Sequence, residues 1–154
     1  MTRDFDAVLL RLSDPGTPLA MAYDACAAQI MNGLFTAMRF HAQTMEVERL
    51  HSTMPDAYPA GGRKPKRQTD WGDKVLIRRE VNDGFGEADI AWAFSDHELI
   101  LSLGLHAVLN VPVTLGERTL GTINYLRGGP RFSQDEIATG KALAAALGRR
   151  GALV

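Results

Sequence analysis

Between residues 106 and 126 the chain carries two β-rich runs that are apolar on both faces of the pleat. Residues 106–114 and 119–126 flank Leu115-Gly116-Glu117-Arg118, a turn signal that joins them as an antiparallel hairpin. With Thr114 opposite Thr119, one face carries Leu109, Val111, Val113, Leu120, Thr122, Asn124 and Leu126. The other carries Val108, Asn110, Pro112, Gly121, Ile123 and Tyr125. Such a hairpin needs cover on both sides, so it belongs in the middle of a layered molecule and not in an open-faced sheet. This register places Asn110 and Asn124 on opposite faces, so at most one of them lines any single pocket on the sheet.

The covering elements are written on either side. Phe5, Val8, Leu9 and Leu12 recur at helical spacing before Asp14-Pro15-Gly16 breaks the pattern. Thr17 then suits an N-cap and Pro18 a first turn, with Leu19, Tyr23, Cys26 and Ile30 on one face up to Gly33. Two further helix starts are spelled out. In Phe94-Ser95-Asp96-His97-Glu98-Leu99, Ser95 and Glu98 form the pattern of a capping box, with Phe94 and Leu99 as a hydrophobic staple, and Gly104 is placed to stop the helix. Phe132-Ser133-Gln134-Asp135-Glu136-Ile137 repeats the arrangement and opens a helix running to about Leu147, which Gly148 ends. Residues 34–40 and 46–52 read as a second hairpin around Ala42-Gln43-Thr44, and residues 71–79 as a short helix or strand.

A length of 154 residues fits one domain, and no repeat or low-complexity tract divides it. Seventeen Lys and Arg against eighteen Asp and Glu leave a formal charge of -1, so no general attraction to nucleic acid or an anionic membrane is expected. Cys26 is the sole cysteine, which excludes an intrachain disulfide, a thiolate zinc cluster and a dithiol pair and fits a cytoplasmic setting. The first residues lack a secretory signal, and no run of about 18 apolar residues spans a membrane. His41, His51, His97 and His106 show no metal-ligand spacing, so no metal site is expected. No combination of acid, base and nucleophile emerges, and the chain is not expected to be an enzyme.

The functional signal lies in residues 53–70, a stretch too long for a simple connection and nearly devoid of apolar residues, read as a long loop. It joins Gly61-Gly62 to Arg63, Lys64, Lys66 and Arg67, either an anion cradle or a solvated surface. Tyr58 and Trp71 supply an aromatic wall if the loop folds over the sheet, or pack as satellites of the core. Arg49 lies in a strand with Val47 and His51 on its side of the pleat, facing either a pocket or water. Asp96 and His97 occupy a helix's first turn, where capping competes with ligand contact. Asn110 and Asn124 interrupt apolar strands and must each bond loop backbone or a ligand.

The runs Ser95-Asp96-His97-Glu98-Leu99-Ile100, Leu103-Gly104 leading into Leu109-Asn110-Val111-Pro112-Val113, and Leu120-Gly121-Thr122-Ile123-Asn124-Tyr125-Leu126 resemble the second half of the GAF domain. Met54-Pro55, Tyr58-Pro59, Gly61-Gly62 and Trp71 resemble one bacterial branch of it. The resemblance covers residues 17–147, leaving residues 1–16 as an N-terminal helical extension and 148–154 as a C-terminal tail. It implies an α+β, profilin- and PAS-related antiparallel sheet of about five to six strands, with terminal helices on one face and a loop-covered pocket on the other. It also implies small-molecule sensing in signalling and homodimerisation through the terminal helices. Cys26 matches neither the paired cysteines of methionine-sulfoxide-reducing members nor a chromophore attachment site. The expectation is therefore a cytoplasmic homodimeric sensor without a cofactor that binds a small anionic or polar aromatic molecule. Arg49 and Lys64 neutralise the ligand, Tyr58 and Trp71 enclose it, and Asn110 or His97 orients it. The alternative is a ligand-free interaction module that pairs through its terminal helices.

Overall fold

The computed structural model describes residues 3–30 and 33–153. Two helices, α1 (Arg3–Ser13) and α2 (Leu19–Gln29), precede the hairpin of β1 (Gly33–His41) and β2 (Glu46–Ser52). A short β3 (Arg63–Pro65), a turn of π-helix (Gly72–Ile77) and β4 (Asn82–Phe85) follow. Then come α3 (Glu87–Ala93), α4 (His97–Ser102), β5 (Ala107–Leu115), β6 (Arg118–Arg127) and α5 (Gln134–Arg149). The strands pair antiparallel in the order β3-β2-β1-β6-β5-β4, the α+β architecture expected, with six strands.

Both faces of the sheet are covered. On one, Leu109, Val111, Ile123 and Tyr125 pack beneath Phe5 and Leu12 of α1, Tyr23 and Cys26 of α2, and Leu143 and Leu147 of α5. On the other, Leu34, Val108 and Leu126 meet Tyr58, Ile90 and Ile100, and Val47 meets Trp71, Val75 and Leu76. Phe5 and Leu12, from the terminal extension, and Ala152 and Leu153, from the terminal tail, are all buried in the helix-side core.

The central hairpin departs from simple alternation. Thr114 does oppose Thr119, but Val113 opposes Gly121, so Leu120 is an extra residue in a β-bulge. A one-residue slip sends every later side chain to the other face. Ile123 and Tyr125 therefore join the helix side, while Thr122, Asn124 and Leu126 turn away from it with Val108 and Asn110. Asn110 and Asn124 lie directly opposite each other on one face, with Asn110 Nδ2 donating to Asn124 Oδ1 at 2.9 Å. A second bulge displaces His51. Ala37 opposes His51 and Met38 opposes Arg49, leaving Leu50 as the extra residue. His51 thus leaves the face of Arg49 and Val47, its ring 5.5 Å from Tyr23 and its Nε2 2.9 Å from Asp24 Oδ1.

Helix ends follow the sequence in part. The box at Ser133 forms in full: Glu136 N donates to Ser133 Oγ at 3.1 Å and Ser133 N to Glu136 Oε1 at 2.9 Å. Glu136 also accepts both arms of Arg127 at 2.7 Å, bonds that hold its carboxyl down at about 2. Gly148 does not end α5, which continues to Arg149. A Cβ at Gly148 would lie 2.1 Å from the Thr114 carbonyl oxygen, so the glycine lets the helix backbone touch β5. Thr17 does not cap α2, whose N-cap residue is Pro18 with no side-chain cap, and Leu19 is exposed. Gly104, at φ +77, follows α4 where a stop was expected. The box at Ser95 is not made: α4 begins one residue late, at His97, with Asp96 as an N-cap residue whose side chain caps nothing. The stretch 53–70 is not all loop, since β3 within it pairs Lys64 with Val47 of β2, and the helix-or-strand segment after it becomes the π-helical turn.

Candidate functional site

Alternation on the strands sends one set of side chains to the face opposite α1 and α5. Leu34, Thr36 and Met38 come from β1, Val47 and Arg49 from β2, and Asn124 and Leu126 from β6. These floor a cavity of about 40 Å³, and Tyr58, Trp71, Phe94 and Ile100 wall it. At about 10–15 Å³ for each water, that volume admits about three water molecules. The segment 53–62 is fastened over it by backbone bonds on both sides of Arg49: Arg49 N donates to Gly62 O at 3.0 Å and Gly61 N to Arg49 O at 2.7 Å.

Three cations and one carboxylate converge on the cavity: Arg49, Lys64, Lys66 and Asp96. Lys64 Nζ lies 3.0 Å from Asp96 Oδ2. The Arg49 guanidinium stacks 4.9 Å above the Tyr58 ring and donates through Nη1 to the Pro59 carbonyl at 3.0 Å, while its buried Nε has no partner. Lys66, 8% exposed, holds its ammonium 4.9 Å from the Trp71 ring. Burial pushes its amine down to about 8; the charge of Lys64 acts in the same direction and Asp96 opposes it. Burial, with Asp96 alongside, pushes the Tyr58 phenol well up, so the group stays protonated. The Lys66 backbone is clamped. Its N–H donates to Met45 O at 2.7 Å, and its carbonyl accepts from Thr69 Oγ1 at 2.7 Å. Gly72 sits so close that a Cβ there would lie 2.4 Å from the Lys66 carbonyl oxygen.

Behind the wall runs a chain of amides. Trp71 Nε1 and Asn82 Nδ2 each donate to Asn110 Oδ1 at 3.0 Å, and Asn110 donates to Asn124. Asn124 Nδ2 donates in turn to Thr122 Oγ1 at 3.0 Å and Thr36 Oγ1 at 3.2 Å. The chain fixes Trp71 on one wall and Asn124 on the floor.

Solved structures identify the architecture. The GAF domain of an Acinetobacter phosphoenolpyruvate-protein phosphotransferase matches 99% of this chain, over 95% of its own, with a TM-score of 0.72 and 16% sequence identity. A chain-length match with 97% of each chain covered, a TM-score of 0.70 and 13% identity comes from the phycoerythrobilin-bound GAF domain of a cyanobacterial phytochrome. The chain has the GAF fold. A Coxiella burnetii phosphotransferase GAF domain agrees, with a TM-score of 0.70 and 15% identity over 94% of this chain and 90% of that one. No protein-family model matches the sequence, and no curated protein matches it.

In this GAF fold Arg49, Tyr58, Lys64 and Trp71, all expected at the site, line the cavity together. Asn110 does not reach it. The bulge at Leu120 sets Asn110 against Asn124, and its amide is consumed in holding Asn124 and Trp71. His97 is also outside: its Nδ1 lies 3.1 Å from the Phe94 carbonyl oxygen, and the turn into α4 directs Asp96 to the cavity instead. Lys66, Asp96 and Asn124, which the sequence offered as candidates but which were not among the expected ligand contacts, also line the cavity, and Thr36 was not foreseen at all. For Lys66 the signal was present, because a two-residue spacing from Lys64 at a strand end puts both on one face.

Proposed function

We propose that this GAF fold is a sensory module of the cytoplasm that binds a small anionic molecule between the sheet and residues 53–71 and performs no reaction on it. The observation that carries this reading is the convergence of Arg49, Lys64 and Lys66 on one cavity with only Asp96 to balance them. Cations that lose hydration on facing a partly enclosed space gain from an anion placed among them. The aromatic walls and the unpartnered Arg49 Nε add an enclosure and a waiting donor. The phytochrome relative, bound to phycoerythrobilin, supports small-molecule binding as a use of the fold. Among the described residues the cavity lining holds no serine, cysteine or histidine, and the Tyr58 phenol is held protonated, which favours binding over catalysis.

Native mass spectrometry of gently purified protein is expected to show a retained small anion. In calorimetric titration with that anion, Arg49→Ala is expected to weaken binding about 10- to 100-fold, in line with about 1.5–3 kcal/mol for a bond to a charged group. Equal affinity in the variant would remove Arg49 from the site and with it the charge argument.

Pairing of two copies through the terminal helices is the second part of the reading, and one side chain favours it. Leu10 is 75% exposed on α1, whereas Phe5 and Leu12 of the same helix are spent in the protomer's own core. Leu10→Asp is expected to convert a dimer to a monomer by light scattering on a sizing column. A wild-type monomer, or a variant that stays dimeric, counts against this surface. Deleting residues 1–16 is a poorer test, because it strips Phe5 and Leu12 from the core.

A further inference from the structure

The six residues from Phe94 to Leu99 and the six from Phe132 to Ile137 carry the same cap-and-staple pattern and reach different ends. The second set closes its box with both hydrogen bonds and buries Phe132. The first leaves Leu99 42% exposed and starts its helix one residue late, with no side chain capping it. Where local sequence and local structure disagree, a longer-range force is at work, and such places mark functional or strained sites. Here the force is visible. Asp96, which a box closed by Ser95 would place in the first turn of the helix, instead faces the cavity with its backbone at φ -93, ψ 34, paired with Lys64 at 3.0 Å and within the influence of Arg49, Lys66 and Tyr58.

We propose that Asp96 is an internal stand-in for the ligand's anionic group, and that a small dianion held by Arg49, Lys64 and Lys66 releases it, allowing residues 94–99 to close the encoded box. The proposal rests on the pocket being an anion site and adds the ligand's charge and the consequence of binding. A cavity of about 40 Å³ has room for water but not for a multi-carbon acid, so a group must leave before one enters. Asp96 is the group with another place to go. One negative charge of the ligand replaces Asp96 on Lys64, and the second faces Arg49 and Lys66, which have no carboxylate in ion-pair contact among the described residues. Phe94 walls the cavity and is one half of the staple that the sequence encodes with Leu99, so closing the box would alter the cavity wall and the exposed surface of α4 together.

The test is amide hydrogen exchange on the full chain, with malonate and inorganic phosphate as probes. Either probe is expected to slow exchange at the Glu98 amide about fivefold, the size of an ordinary N-cap. Lys64→Gln is expected to do the same with no ligand present, because it breaks the ion pair that holds the box open. Adding Ser95→Ala should cancel the effect in both cases. Asp96→Asn, which removes the internal competitor, should tighten probe binding about tenfold. Unchanged Glu98 exchange in ligand-free Lys64→Gln overturns the proposal. So does probe binding that leaves Glu98 exchange unchanged; if Arg49→Ala still weakens that binding, the anion site itself stands. If neither probe binds the wild-type protein, the dianion assignment falls, and native mass spectrometry then decides separately whether any anion is held.

Discussion

Replacing Lys66 with methionine is expected to raise the unfolding free energy by about 2–3 kcal/mol at pH 7 while abolishing anion binding. The amine drops from 10.5 to about 8 on folding, chiefly through burial. Below pH 8 the group is charged in both states, so the folded protein bears the full desolvation penalty. Between pH 8 and 10.5 the folded state gives up its proton first and the penalty fades. The shift converts to about 3 kcal/mol as an upper figure, which residual hydration reduces. Methionine keeps the stem packed on Trp71 and removes the charge. Urea unfolding should show the variant ahead by about 2–3 kcal/mol at pH 7 and by about 1 kcal/mol at pH 10. A variant less stable than wild type at pH 7 would show that the ammonium contributes to the fold and is not kept for a ligand.

Asn110→Ala is expected to have the opposite outcome, a loss of about 3–5 kcal/mol in the same assay. Asn110 is fully buried and serves three partners: it accepts from Trp71 and Asn82 and donates to Asn124. Alanine strands an indole N–H and an amide N–H, leaves one Asn124 lone pair unmet, and opens a small void between β4 and β6. Because Trp71 loses its anchor, its fluorescence should also shift to the red. A cost below about 1.5 kcal/mol would mean that water enters and replaces the lost amide.

What the sequence made legible were features written locally. The Ser133–Glu136 box needs only four residues in order, and the Thr114–Thr119 closure of the central turn needs only turn chemistry. Arg49, Tyr58, Lys64 and Trp71 could be placed together because an aromatic and basic segment of that length must lie on something. What was hidden depends on other parts of the chain. A count of alternating residues cannot register an extra one, so Leu50 and Leu120 reversed the placement of His51 and of the Asn110–Asn124 pair. Lys66 looked like one more solvated cation because its burial comes from Trp71 and the π-helical turn. Asp96 looked like a capping residue because nothing in its neighbourhood announces Lys64, some thirty positions earlier. β4 was invisible because Asn82, Asp83 and Gly84 have poor strand propensity and pair only through the register offered by β5.

The bulge at Leu120 gives this molecule a spare residue in the middle of its sheet. Leu120 can be exchanged for another aliphatic residue of similar size with modest effect. Deleting it would leave Thr114 opposite Thr119 and Val113 opposite Gly121, so the pleat from Gly121 onward would keep its phase. The Tyr125 hydroxyl would still donate to the Cys26 carbonyl at 2.9 Å, and the loss would be one buried aliphatic side chain from the helix-side core. The codon for Leu120 is thus one that this strand can lose without exchanging its wet side for its dry one, and the turn before it, at the exposed Gly116 and Glu117, has solvent into which an added residue can bulge.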